Sequence, residues 1–290
     1  MERIDTHARA ADGEAPPADI RVIGVGSGWA VREYICHAGP QHRPFEERHD
    51  SVTIGAVVAG SFTYRGENGR ALMHPGSLLL GNHGRCFECG HDHGIGDRCI
   101  VFDYAPEFFA EVAASRAGSA GYRFGAMTLQ ASNRLMPVIA GIEGLAQDGS
   151  PLRLDEAAVG VVEIVVGALS GLAAAPPRTS ARDERRIAHV LHYIEENAAE
   201  PLDLGLLANI AGCSKYHFLR CFRRTVGMTP YQYLLMIRMR RAALRLATTP
   251  ASVASIAFEA GFGDLSTFNN RFRDLFGMSP RAHRRRGRFA

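Results

Sequence analysis

FLRCFRRTVGMTP, residues 218–230, returns as FNNRFRDLFGMSP, residues 268–280, at an offset of fifty. Phe218 matches Phe268, Phe222 matches Phe272 and Arg223 matches Arg273, and Gly-Met-Thr-Pro becomes Gly-Met-Ser-Pro. Upstream, LANIAG (207–212) matches IAFEAG (256–261) at an offset of forty-nine, so the second copy carries one extra residue in its turn. An internal repeat of this size marks a supersecondary unit used twice.

The unit reads as a helix-turn-helix. A short amphipathic helix runs to Ala-Gly, where glycine can adopt the left-handed conformation. A second helix starts behind a capping side chain, Ser214 in one copy and Asp264 in the other. Within it the phenylalanines at i and i+4 mark a core face. The other faces carry Tyr216, His217, Arg220, Arg223 and Arg224 in the first copy. In the second they carry Ser266, Thr267, Asn270, Arg271 and Arg273. Such donor-rich surfaces suit the major groove of double-stranded DNA. YQYLLMIRMRRAALRLA (231–247) lies between the copies. As a helix it makes a rod of roughly 25 Å, of the order needed to hold two recognition helices about one DNA turn apart.

Charge separates the same halves. The net +3 combines +10 from residue 178 onward, with 19 basic and 9 acidic side chains, and −7 before it. The basic half holds one lysine, Lys215, and otherwise arginine, which fits a polyanionic partner. No apolar run is long enough to cross a membrane. The N-terminal MERIDTHARAADGEAPPADI lacks the apolar core of a secretory signal, so a cytoplasmic location is expected.

AAAPPRTSARD (173–183) separates two textures. Before it, SVTIGAVVAGSFTYRG, ALMHPGSLLLGN and DRCIVFDYAP read as short strands between glycine turns. Helical stretches follow: PEFFAEVAASRAG, SNRLMPVIAGIEGLAQ and LDEAAVGVVEIVVGALSGLA. The last is apolar nearly all round, which fits either a dimer interface or a cover for the strands. GVGSG (24–28) imitates half of a dinucleotide fingerprint, but no strand–helix unit surrounds it, and it reads as a turn.

The C-terminal half, residues 183–286, resembles the DNA-binding domain of the AraC/XylS family of bacterial transcription regulators. The resemblance rests on LANIAGCSKYHFLRCFRRTVGMTPYQYLLMIRMRRAALRL and SIAFEAGFGDLSTFNNRFRDLFGMSP. It implies base-reading positions at Tyr216, Leu219 and Arg220 and at Leu265, Ser266 and Asn270. The two leucines suit a thymine methyl rather than a hydrogen bond. Arg223, Arg224, Arg271, Arg273 and the tail RRRGR suit phosphates. The resemblance further implies an N-terminal cupin-like β-barrel that senses an effector and dimerises; the turn and strand of MHPGSLLLGNHG fit it in outline.

CFECGHDHGIGDRC (86–99) falls in that sensory half. Cys86, Cys89, His91, His93 and Cys99 are ligand types for zinc or another soft transition metal. Cys86 and Cys89, three apart, point to opposite faces of a regular strand and converge only if the chain turns. Cys36, His37, His42, His83 or another chain could complete such a site. A redox-sensing thiol pair and buried packing cysteines are the other readings.

The expected molecule is α+β with two domains. A lead-in (1–19), expected to be disordered, precedes a cupin-like sensor and dimerisation domain (20–172) made of a β-barrel with helices. A linker (173–182) leads to an all-α domain (183–286) with two helix-turn-helix motifs joined by a linker helix. The expected function is sequence-specific transcription regulation without catalysis. The expected partners are an operator duplex, RNA polymerase, a second copy of the chain and an effector, whether metal ion, oxidant or small molecule. The alternative is a metal-dependent cupin-like enzyme, or a zinc-thiolate DNA-repair methyl acceptor, fused to a DNA-binding domain.

Overall fold

The computed structural model describes residues 18–44, 46–91, 96–117, 121–132, 135–148, 151–170 and 180–288. Most of the expected lead-in, most of the linker and His93 lie outside them. The chain divides into two compact units: residues 1–130 with 151–177, and residues 131–150 with 178–290.

The first unit begins with β1 (Ala18–Gly26), β2 (Trp29–Cys36), β3 (Glu46–Arg48), β4 (Val52–Gly60) and β5 (Phe62–Gly66). β6 (Gly69–Met73), β7 (Leu78–Gly81), β8 (Cys86–Gly90) and β9 (Asp97–Tyr104) follow. Next come α1 (Pro106–Ala117) and β10 (Thr128–Leu129). The strands form two sheets that do not close into one barrel, ordered β1-β2-β9-β4-β7-β10 and β3-β8-β5-β6. Of the GVGSG stretch, Gly24–Gly26 end β1 and Ser27-Gly28 make the β1–β2 hairpin turn: Gly26 pairs with Trp29, and Gly28 takes a positive φ of 86°.

Strand alternation explains the core. Val57, Phe62, Tyr64, Met73 and Cys99 form a buried cluster, with Tyr34, Phe87, Cys89 and Val101 packed on it from both sheets. Asp103 shares the inward face of β9 with Cys99 and Val101. There it accepts hydrogen bonds from Arg32 (2.5 Å), Ser51 (2.9 Å) and Thr53 (3.2 Å). Tyr104 lies on the other face, where its hydroxyl donates to the Ala158 carbonyl of α3 (Pro151–Ser170) at 2.9 Å. The indole of Trp29 donates to Asp155 of the same helix at 3.0 Å. The apolar helix therefore covers the strands, as one of its two readings expects, while Val159 and Ile164 remain exposed.

The second unit is helical. It contains α2 (Met136–Asp148), α4 (Ala181–Glu196), α5 (Leu204–Ile210), α6 (Lys215–Val226) and α7 (Pro230–Thr248). α8 (Val253–Glu259), α9 (Leu265–Phe276) and α10 (Pro280–Arg288) complete it. Although α2 precedes the linker in sequence, it packs on α7 and α9. Its Glu143 pairs with Arg240 of α7 at 3.5 Å, both side chains almost wholly buried.

Candidate nucleic-acid interface

Local chemistry sets both helix-turn-helix units. Asp203 caps α5 by accepting from the amides of Gly205 and Leu206. Ser252 caps α8 by accepting from the Ser255 amide. Gly212 and Gly261 follow these helices at φ 61° and 87°, as the Ala-Gly pairs imply. Ser214 caps α6 by accepting from the His217 amide, and Asp264 caps α9 by accepting from the Thr267 amide. Phe218, Phe222, Phe268 and Phe272 are fully buried. The connector α7 opens with a reciprocal capping box between Thr229 and Gln232. Its 19 residues make a rod of about 28 Å.

The expected contact residues fall into two groups. On α9, Ser266, Thr267, Asn270, Arg271 and Arg273 are all exposed. On α6, Arg220 and Arg223 are exposed, but His217 and Arg224 are half-buried and turned toward α4. Arg224 Nη2 donates to Asp183 Oδ2 at 3.1 Å, and His217 Nε2 lies 3.5 Å from Asp183 Oδ1. Cys221 Sγ is 3.3 Å from the same histidine nitrogen. Burial pushes the Asp183 carboxyl up, but hydrogen bonds from Ser180 and His217 and the His217 charge hold it below its ordinary range. His217 and Arg224 thus anchor α6 to α4 rather than standing as free groove contacts. Tyr216 lies outside the described side chains. In the tail, Arg285 and Arg286 are exposed, whereas Arg284 donates to the Ala251 carbonyl.

Arg238 was no part of the expected set. Its guanidinium on α7 donates to the carbonyls of Ala198 (2.6 Å), Gly261 (2.7 Å) and Glu200 (2.9 Å). It therefore ties the segment before the first helix-turn-helix to the turn of the second. A Cβ at Gly261 would meet the Ala199 carbonyl at 2.6 Å, so this turn also needs glycine for space.

The thiol-rich stretch is only partly assembled as expected. Phe87 and Cys89 face the core, so Cys86, three residues from Cys89, is turned to the opposite face of β8, and Cys89 packs in the core outside the converging ligand atoms. His91, 5% exposed, meets Asp97, 8% exposed, at 2.6 Å. The Cys99 thiol donates to Asp97 at 3.2 Å. Ligand atoms of Cys36, His91 and Asp97 lie within 4.8 Å of one another. Burial acts to lower the His91 pKa, but hydrogen bonds with Asp97 and Cys36 hold it at about 9. Burial, reinforced by nearby carboxylates, pushes the Cys89 and Cys99 thiols well above the ordinary thiol range. That is the reverse of what a reactive redox thiolate needs.

A helix-turn-helix domain model matches residues 207–286, and an AraC-like ligand binding domain model matches residues 31–160. The HTH-type transcriptional activator AarP of Providencia stuartii is 36% identical over 98 residues, covering 34% of this chain and 73% of that protein. The chain belongs to the AraC family of transcription regulators. The similarity extends into the β-rich unit in the HTH-type transcriptional regulator YbfI of Bacillus subtilis (strain 168). It is 26% identical over 221 residues, 75% of this chain and 78% of the relative. Among solved structures, an AraC-type transcriptional regulator of Chromobacterium violaceum is 28% identical with a TM-score of 0.35. That match covers 37% of this chain and 96% of the other. In this chain the two matched models place a helix-turn-helix domain after an AraC-like ligand binding domain. Among the described residues no helix is long and apolar enough to cross a membrane.

Proposed function

We propose that this AraC-family chain is a cytoplasmic regulator that binds an operator duplex through both helix-turn-helix units and is governed by its β-rich unit. The observation that carries the reading is the pair of capped recognition helices on one rigid connector, with the exposed donors Ser266, Thr267, Asn270, Arg271 and Arg273 on the second. Asparagine pairs with adenine edges, and arginine pairs with guanine edges or phosphates. The basic balance of residues 178–290 supports association with a polyanion.

The effector is a metal ion, an oxidant or a small molecule acting on the inward face of the β-rich unit, where Arg32, Asp103, His49 and Tyr64 place polar groups. A homodimer is supported by β1, an edge strand that exposes Ile20, Val22 and Val25, and by exposed Val159 and Ile164 on α3. RNA polymerase is the downstream partner.

Selection from a random duplex library with the full chain tests the reading. The expected motif is bipartite, with half-sites about one helical turn apart. Asn270→Ala is expected to cost about 1–3 kcal/mol and relax one base preference. Absence of any enriched sequence at low salt refutes the reading.

A further inference from the structure

β2 and β9 pair antiparallel with Cys36 directly opposite Asp97. On neighbouring strands, directly opposed side chains share a face. His91 follows β8, a strand of the other sheet, and closes onto Asp97 at 2.6 Å. Thus one thiol, one imidazole and one carboxylate converge within 4.8 Å although 61 residues separate the first from the last. Cys99 adds a second sulfur, 3.2 Å from the same carboxylate.

The backbone around these groups is close-packed. Gly96 sits at φ 73°, its amide donates to the Ala38 carbonyl at 2.8 Å, and a Cβ there would meet the Cys36 carbonyl at 2.5 Å. Gly60, paired with Asp97 from the other side, has φ 72°, and a Cβ there would meet the Gly96 carbonyl at 2.3 Å. Only glycine allows three chain segments to meet this tightly, and the meeting point is where Cys36 and Asp97 are presented. The histidine–carboxylate pair is shielded from water, a setting in which a metal centre holds its donors firmly.

We propose that Cys36, His91 and Asp97 form a three-donor site for one thiophilic divalent ion of the zinc class that bridges the two sheets. One sulfur, one nitrogen and one oxygen donor match zinc or cobalt and disfavour magnesium and calcium, which take oxygen ligands. The proposal rests on the family reading for its consequence, that an ion held here is the signal the β-rich unit passes on. Cys86, on the outer face of β8, takes no part.

The test uses the full chain, stripped with a chelator and titrated with Co(II), whose thiolate charge-transfer absorption reports sulfur ligation. The expected result is one saturable Co(II) per chain, displaced by Zn(II). Cys36→Ser and His91→Ala should each weaken binding beyond the roughly 100-fold that outer-shell partners are worth, and Cys36→Ser should lose thiolate absorption. Cys86→Ser should titrate like the wild type. Far-UV circular dichroism confirms that the variants are folded. No stoichiometric binding by the wild type, or unchanged binding in folded Cys36→Ser, overturns the proposal. Operator affinity of the same preparation, with and without the ion, separates the two readings. Failure to bind any duplex breaks the regulator reading and leaves the metal result standing, and failure to bind metal does the converse.

Discussion

Replacing Arg238 by methionine keeps most of the aliphatic stem and removes the guanidinium that binds three carbonyls. The contacts to Ala198 (2.6 Å) and Gly261 (2.7 Å) are partly buried, and the contact to Glu200 (2.9 Å) is exposed. A hydrogen bond to a charged group contributes about 1.5–3 kcal/mol when water is excluded, and much less when it is not. Counting the two partly buried contacts near the lower end and the exposed one as nearly nothing gives about 2–3 kcal/mol for Arg238→Met. For a helical unit of this size each kcal/mol moves the melting temperature by about 3–4 °C, so a drop of about 6–12 °C is expected. Lysine should recover little, because an ammonium lacks the planar fork that reaches several carbonyls at once. The assay is thermal and urea unfolding of the full chain with helical signal as readout, followed by binding to bipartite and single half-site duplexes. If the clamp sets the relation of the two units, bipartite binding should fall more than half-site binding. A change within about 0.5 kcal/mol, the scatter of ordinary surface substitutions, refutes the reasoning, as does full rescue by lysine.

Three further outcomes follow from buried charge. His49 donates to or accepts from Tyr64 at 2.7 Å, stacks on Phe87, and burial lowers its pKa to about 4. The folded state therefore binds fewer protons, so stability present above about pH 6.5 is lost as pH falls toward 4, by up to about 3 kcal/mol, and His49→Gln should flatten that limb in urea unfolding. Asp183→Asn removes the charge that His217 and Arg224 share, which should lower the unfolding free energy of the helical unit by about 1–3 kcal/mol; an unchanged midpoint denies the α4–α6 anchor. Glu143→Ala removes the carboxylate beside Arg240, whose side chain is 6% exposed, and should lower the unfolding free energy, whereas Glu143→Met with Arg240→Met should cost less by the same measurement.

The helix-turn-helix pair was legible because its determinants are local. Caps at Ser214 and Asp264, glycine at 212 and 261, and phenylalanine at i, i+4 act over one or two turns, and each holds in the structure. The inner or outer fate of polar residues on α6 was not legible, because it depends on α4: Asp183 lies 34 residues before His217 and 41 before Arg224. Its place three residues after the cap Ser180 signals only a helix start. The same limit governs the thiol cluster. The two-residue period of β8 already separates Cys86 from Cys89. Pairing Cys36 with Asp97 needs the β2–β9 register, a long-range property no local pattern encodes. The attachment of α2 to α7 is of this kind too, since an apolar stripe on a helix does not name the surface it covers.

The same contacts make the two halves of the repeat unequal as DNA readers. Position for position, His217 corresponds to Thr267, Cys221 to Arg271 and Arg224 to Asp274. In the first copy these three side chains are gathered around Asp183; in the second all three are exposed. The described surface of α6 that remains exposed carries Lys215, Arg220 and Arg223, whereas α9 presents serine, threonine, asparagine and two arginines together. Arginine beside a backbone supplies affinity that falls with salt, and neutral donors and acceptors at base edges supply sequence choice. Substitutions on α9 should therefore change which duplex is preferred, while Arg223→Ala on α6 should weaken all duplexes alike and reduce the salt slope by about one. A change in sequence preference on substituting His217 or Arg224 would mean that α6 leaves its Asp183 anchor on meeting DNA. Asp183→Asn would then raise affinity while it lowers stability, the opposite of what a purely structural anchor predicts.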